Sequence, residues 1–131
     1  MRLTKMTDYS LRLLMYIASK EPGELCSIAE VSKAQKLSEA HLMKITHQLS
    51  LAGWLETVRG KGGGIRLGKP ANKIKVGDVV LSMESDFNIV ECFSGSVNCK
   101  FVKNCKLAGV IDGALEGFVK HLNKYTLADI I

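Results

Sequence analysis

The stretch Ser38-Glu39-Ala40-His41-Leu42-Met43-Lys44-Ile45-Thr46-His47-Gln48-Leu49-Ser50-Leu51-Ala52-Gly53 runs directly into Trp54-Leu55-Glu56-Thr57-Val58-Arg59-Gly60-Lys61-Gly62-Gly63-Gly64-Ile65-Arg66-Leu67. In its first half Leu42, Ile45 and Leu49 recur at three and four residues, the spacing of one apolar helix face. Ser38 is an N-cap residue and Gly53 a stop, so the helix is expected from Glu39 to about Ala52, with His41, Lys44, His47 and Gln48 on its other side. In its second half Trp54–Val58 and Ile65–Leu67 alternate apolar and polar residues around a basic, glycine-rich tip, the pattern of a β-hairpin. The glycines do not make a nucleotide site, because they lie between two strands and not between a strand and a helix.

Upstream, Ser27 with Glu30 three residues on reads as a capping box opening a short helix that ends near Ala34-Gln35. It meets the Glu39 helix through a tight connection at Lys36-Leu37, which is a helix-turn-helix, and the hairpin is then its wing. Thr7 or Asp8 starts an earlier helix over the apolar run Tyr9–Ala18, and Pro22-Gly23 follows it. Downstream, Val76, Val79, Val80 and Met83 share one face of a short helix. From about Lys106 the set Leu107, Val110, Ile111, Ala114, Leu115, Phe118, Val119 and Leu122 makes an apolar stripe of more than four turns. Nothing left in the sequence covers that stripe, so it is read as a dimer interface. The expected fold is mainly α with a small β-hairpin: a winged helix-turn-helix DNA-binding domain over residues 1–80, then a cysteine loop and a long C-terminal dimerisation helix over 81–131.

The charge is unevenly placed. Residues 1–80 carry 13 Lys/Arg against 7 Asp/Glu, a balance of +6, whereas residues 81–131 carry 5 against 6. Arg59–Lys75 holds six basic residues and no acidic one. Such a face is either merely solvated or a surface for phosphates, with Arg59, Lys61 and Arg66 reaching the backbone or minor groove and Gly62 and Gly63 allowing close approach. No apolar run approaches the about 18 residues that span a bilayer. The N-terminus lacks the apolar stretch of a secretory signal, so a cytoplasmic protein with no membrane partner is expected.

Three of the four cysteines, Cys92, Cys99 and Cys105, form a C-x6-C-x5-C run, with the loop formers Ser94, Gly95, Ser96 and Asn98 in its first gap. In a reducing compartment such thiols serve metal or redox chemistry more often than disulfides, though they can also be plain buried thiols. Zinc sites use closer pairs. The wider spacing suits an iron–sulfur cluster, [4Fe–4S] or [2Fe–2S], with a fourth ligand still to be found. Cys26, the histidines His41, His47 and His121, and a carboxylate such as Asp8 are the candidates, although Asp8 is also a natural helix cap.

Several motifs carry a family resemblance: Met1-Arg2-Leu3-Thr4 with Thr7-Asp8-Tyr9, His41-Leu42-Met43-Lys44, Val58 to Gly68, Ile74 to Val80, the three cysteines, and Tyr125-Thr126-Leu127-Ala128-Asp129. Across the whole chain they resemble the iron–sulfur winged-helix repressor superfamily that includes NsrR and IscR, and most of all its NsrR-type branch of nitric-oxide-sensing repressors. The resemblance implies a homodimer on a palindromic double-stranded DNA operator. It implies a cluster held by Cys92, Cys99 and Cys105 with Asp8 of the partner subunit. The IscR branch uses a histidine three residues after the last cysteine, where this chain has Ala108. The reading that follows is a repressor, not an enzyme, with Ser38, Glu39, His41 and Lys44 facing the major groove and DNA released when nitric oxide reaches the iron. Its rivals are a regulator sensing cluster supply or redox state and, from another class, a small iron–sulfur electron carrier.

Overall fold

The computed structural model describes residues 1–95 and 98–131, so Ser96 of the expected loop formers lies outside the described residues. Its elements follow the expected order: helices α1 (Lys5–Ala18), α2 (Ile28–Gln35) and α3 (Glu39–Leu51), strands β1 (Leu55–Val58) and β2 (Gly64–Leu67), then α4 (Val76–Met83) and α5 (Lys106–Leu122). Short 3-10 turns occupy Ala71–Lys73, Glu91–Ser94 and Leu127–Ile130. Leu13, Leu14 and Ile17 of α1, Val31 of α2, Leu42, Ile45 and Leu49 of α3, and Val79 of α4 pack together with Trp54, Leu55 and Ile65 of the hairpin in one core.

Local caps explain most boundaries. Ser27 accepts a hydrogen bond from the Glu30 amide and Ser38 one from the His41 amide, as their sequence positions require. The reciprocal half of the Ser27 box is replaced, because the Glu30 carboxylate accepts from the Tyr16 hydroxyl at 2.8 Å and from Lys20 at 2.7 Å. The first helix starts earlier than its apolar run. Thr4, not Thr7 or Asp8, is its N-cap, accepting from the Thr7 amide, and Asp8 sits exposed inside the first turn. Between α2 and α3 the connection turns at Lys36, whose φ of 53° is left-handed, and Leu37 then drops into the core. The sidechain hydroxyl of Ser32 closes this turn by donating to the Leu37 carbonyl at 2.6 Å.

The hairpin pairs Glu56 with Arg66 and Thr57 with Ile65. It begins at Leu55, since Trp54 closes the end of α3 by donating its amide to the Leu49 carbonyl at 2.9 Å. A third short strand piece joins the sheet: Cys26 and Ile65 exchange both backbone hydrogen bonds, at 2.8 and 2.9 Å. The indole of Trp54 donates to Ser82 at 2.8 Å, pinning the root of the wing to α4.

Helix α5 is fixed to this body at its C-terminal end. Gly77 of α4 lies so close to it that an added Cβ would stand 2.3 Å from Asn123 Oδ1, and Asn123 donates to Asp78 at 2.9 Å. The final turn is drawn into the core by Leu127, whose amide donates to Ile74 at 2.8 Å. No residue of α5 is buried; Leu107, Val110 and Phe118 of its stripe are 63%, 68% and 39% exposed. Ile111, Leu115, Val119 and Leu122 are half-buried, so the stripe read from sequence is partly covered within the chain and open to solvent along Leu107, Val110 and Phe118.

Candidate nucleic-acid interface and thiol site

The outward face of α3 is fixed by what its inward face buries. Leu42, Ile45 and Leu49 are wholly buried, so the opposite line runs through Ala40, Met43, Lys44 and His47, all exposed. Ser38 and Glu39 are also exposed at the helix start. His41 lies on the flank: half-buried, it meets the edge of the Tyr9 ring of α1 at 5.4 Å and 83°. On the same tyrosine rests Arg12, 5.3 Å from the ring centre, and its guanidinium donates to the Gln35 carbonyl at 2.9 Å, closing the end of α2. Helix α1 thus touches both helices of the helix-turn-helix through Tyr9 and Arg12.

Arg59 and Lys61 stand exposed at the wing tip. Arg66 is committed elsewhere, donating to Glu56 across the hairpin at 2.9 Å, and this pair lowers the Glu56 pKa. The tip glycines have a structural reason of their own. Gly62 takes φ of 77°, and a Cβ on Gly63 would lie 2.2 Å from the Val58 carbonyl oxygen. Their absence of side chains is required by the turn itself, whatever else the tip approaches.

The cysteines divide into two kinds. Cys26 is 1% exposed, held in the sheet bridge, and burial pushes its thiol pKa up. Cys92 lies in the Glu91–Ser94 turn and is half-buried, Cys99 is exposed, and Cys105 is the half-buried N-cap of α5; none forms a disulfide. Among the described residues no three His, Cys, Asp or Glu side chains converge to hold a metal ion. The donor chemistry still fits an iron–sulfur group: three accessible thiols within 14 residues, one at a helix N-terminus whose open amides favour a negatively charged ligand. His47 is exposed on α3, and His121 sits in the last turn of α5 against Tyr125, so neither neighbours the cysteine run in sequence.

Glu84 holds the start of α1 with no signal in its local sequence. Its carboxylate accepts from the Thr4 amide and the Thr4 hydroxyl, each at 3.2 Å, and from the hydroxyl of the buried Thr7. It stands at the end of α4, eight residues before Cys92, and so ties the root of the cysteine run to the turn of α1 that carries Asp8. No local pattern announces a contact between residues 80 apart. The outward position of Met43 was legible in the apolar spacing, but its chemistry is not that of the usual polar reader.

A capped helix presented beside a basic hairpin defines a winged-helix DNA-binding protein. The chain belongs to the Rrf2 family, described as iron-dependent transcriptional regulators, whose family model matches residues 3–131. It is 46% identical to the HTH-type transcriptional regulator NsrR of Bacillus subtilis, over all of this chain and 90% of the relative. It is 45% identical to the NsrR of Bacillus licheniformis, over all of this chain and 92% of the relative. Among solved structures, CymR, the global cysteine regulator of B. subtilis, superposes with a TM-score of 0.75 at 24% identity, covering 99% of this chain and 95% of that one. IscR of T. potens gives 0.76 at 23% identity, over 99% and 85% of the two chains. These likenesses carry the fold expectation through: mainly α, with one hairpin wing. No helix is long and apolar enough to cross a membrane among the described residues.

Proposed function

We propose that this DNA-binding regulator is a cytoplasmic, homodimeric repressor, without enzymatic activity, that holds an iron–sulfur cluster and releases a palindromic operator in response to nitric oxide. The observation that carries this reading is the junction at α1. Its first turn bears the exposed Asp8, is held by Glu84 from the root of the cysteine run, and continues into Tyr9 and Arg12 on the DNA-binding helices. The identity to two NsrR proteins supports nitric oxide as the signal.

In this reading residues 1–80 bind DNA, with Ser38, Glu39, Lys44, Arg59 and Lys61 at the duplex, His41 and Arg66 bracing their neighbours, and Gly62 and Gly63 shaping the wing tip. Residues 81–131 hold the sensor and the dimer contact, in which the open stripe of α5 meets that of a second copy. Cys92, Cys99 and Cys105 are the thiol ligands of a [4Fe–4S] cluster and Asp8 of the partner subunit the fourth. When bound, the cluster supplies iron that reacts with nitric oxide. A carboxylate is a hard ligand for soft iron and is readily replaced. With Asp8 engaged, the first turn of α1 would also be held by the partner subunit; with Asp8 free, it would be held only from within the chain, by Glu84, the Thr4 cap and the burial of Thr7. Tyr9 against His41 and Arg12 on Gln35 then carry any change in α1 to α3 and α2.

The test is the iron and sulfide content of anaerobically isolated protein. Cys92→Ser, Cys99→Ser and Cys105→Ser are each expected to lose the cluster, whereas Cys26→Ser keeps it. Full iron content in the three loop variants would exclude this site.

A further inference from the structure

The outward side of α3 carries an exposed apolar pair, Ala40 and Met43, near its start. Met43 is 61% exposed, Ala40 lies one turn before it, and both belong to the N-terminal half of the helix, the half that reaches base edges in helix-turn-helix proteins. Met43 is not part of the packed face, which is made by Leu42, Ile45, Thr46 and Leu49. Its neighbours are charged: Glu39 precedes it and Lys44 follows it, and Lys36 stands exposed in the turn before the helix. His41, on the opposite flank from Met43, is turned aside against Tyr9.

We infer that Met43, with Ala40 beside it, reads thymine 5-methyl groups in the major groove, so that the preferred DNA carries thymine at one or two fixed positions of each half-site. This rests on the DNA-binding reading above and deepens it. Of the groups that base pairs present in the major groove, the thymine methyl is the one apolar handle. An unbranched thioether side chain with three rotatable bonds adapts to such a contact and cannot usefully pair with the polar edges of guanine, cytosine or adenine. The surrounding lysines supply phosphate attraction that is blind to sequence, while Glu39 can accept only from donors such as the cytosine amine.

The experiment uses the full-length, anaerobically isolated protein and a random-sequence duplex pool from which bound molecules are selected. The selected duplex is resynthesised with uracil in place of thymine, one position at a time, which removes the methyl group and leaves the pairing edge intact. Burial of one methyl corresponds to about fourfold in affinity. Wild-type protein is expected to lose about fourfold at one or two positions per half-site. Met43→Ala is expected to show a similar loss on the thymine duplex and to become indifferent to uracil at those same positions, while Lys44→Ala weakens thymine and uracil duplexes alike. Selection of a sequence with no methyl effect, or a methyl preference that survives in Met43→Ala, overturns the inference but leaves DNA binding standing. Failure to retain any duplex from the pool overturns both.

Discussion

Glu84 shows how a single carboxylate organises the start of α1 and the root of the cysteine run. It satisfies the Thr4 amide at the start of α1 and the hydroxyl of Thr7, which is fully buried. Hydrogen bonds to a charged group contribute about 2 kcal/mol when one side is buried. Glu84→Ala is expected to lower unfolding stability by about that much in urea titration, and Glu84→Gln by less, since the amide retains one acceptor oxygen. A variant as stable as wild type would remove Glu84 from the account of α1. Cys26 offers a contrast. It was a possible iron ligand on residue type alone, but the sheet bridge to Ile65 and near-complete burial give it a packing role. The sequence held no sign of that bridge, because the partner lies 39 positions away. Caps, by contrast, were readable where the donor and acceptor are three residues apart, as at Ser27 and Ser38.

The helices and the hairpin were legible because their periodicity is set by their own residues. Leu42, Ile45 and Leu49 had to share a face, and Ile65 had to point inward. The start of α1 was not, since Thr4 caps the helix five residues ahead of Tyr9, where the apolar run begins. The wing depends on the close turn at Gly63. Gly63→Ala is expected to cost about 2 kcal/mol and to weaken duplex binding, because the new Cβ collides with a backbone carbonyl that cannot yield without opening the hairpin. Unchanged stability and binding would contradict that geometry. A second lock joins α1 to α2: Glu30 accepts from Lys20 and Tyr16, and this lowers its pKa below the ordinary 4.5. The stability it contributes is present above the unfolded-state value and is lost as pH falls through the folded one. Thermal unfolding of Glu30→Gln is therefore expected to show a flatter fall below about pH 4.5 than wild type; equal slopes would show that this pair carries no acid sensitivity.

The molecule as a whole presents two unsatisfied surfaces, and they imply different partners. The open face of α5 borders a groove of about 690 Å³ lined by Leu3, Phe87, Ile89, Ile111 and Phe118. Phe118→Glu is expected to convert a dimer to a monomer in sedimentation, because a charge cannot be buried there without a partner. A dimer that survives this change would place the interface elsewhere. The basic side of the helix-turn-helix and its wing is expected to give duplex affinity that falls steeply with salt, with Lys44→Ala and Arg59→Ala each reducing the slope by about one. The cysteine run was legible as three possible thiol ligands, but an arrangement of them was not. Cys92 lies in the Glu91–Ser94 turn and Cys105 at the N-cap of α5, and among the described residues no group of metal ligands comes together. The measurement that bears most directly on the sensor is fluorescence anisotropy of a labelled, selected duplex during anaerobic titration with nitric oxide, with visible absorption followed on the same sample. DNA release in step with loss of the iron–sulfur absorption is the expected result. Release without any iron–sulfur absorption, or undiminished DNA binding after that absorption has gone, would contradict the account.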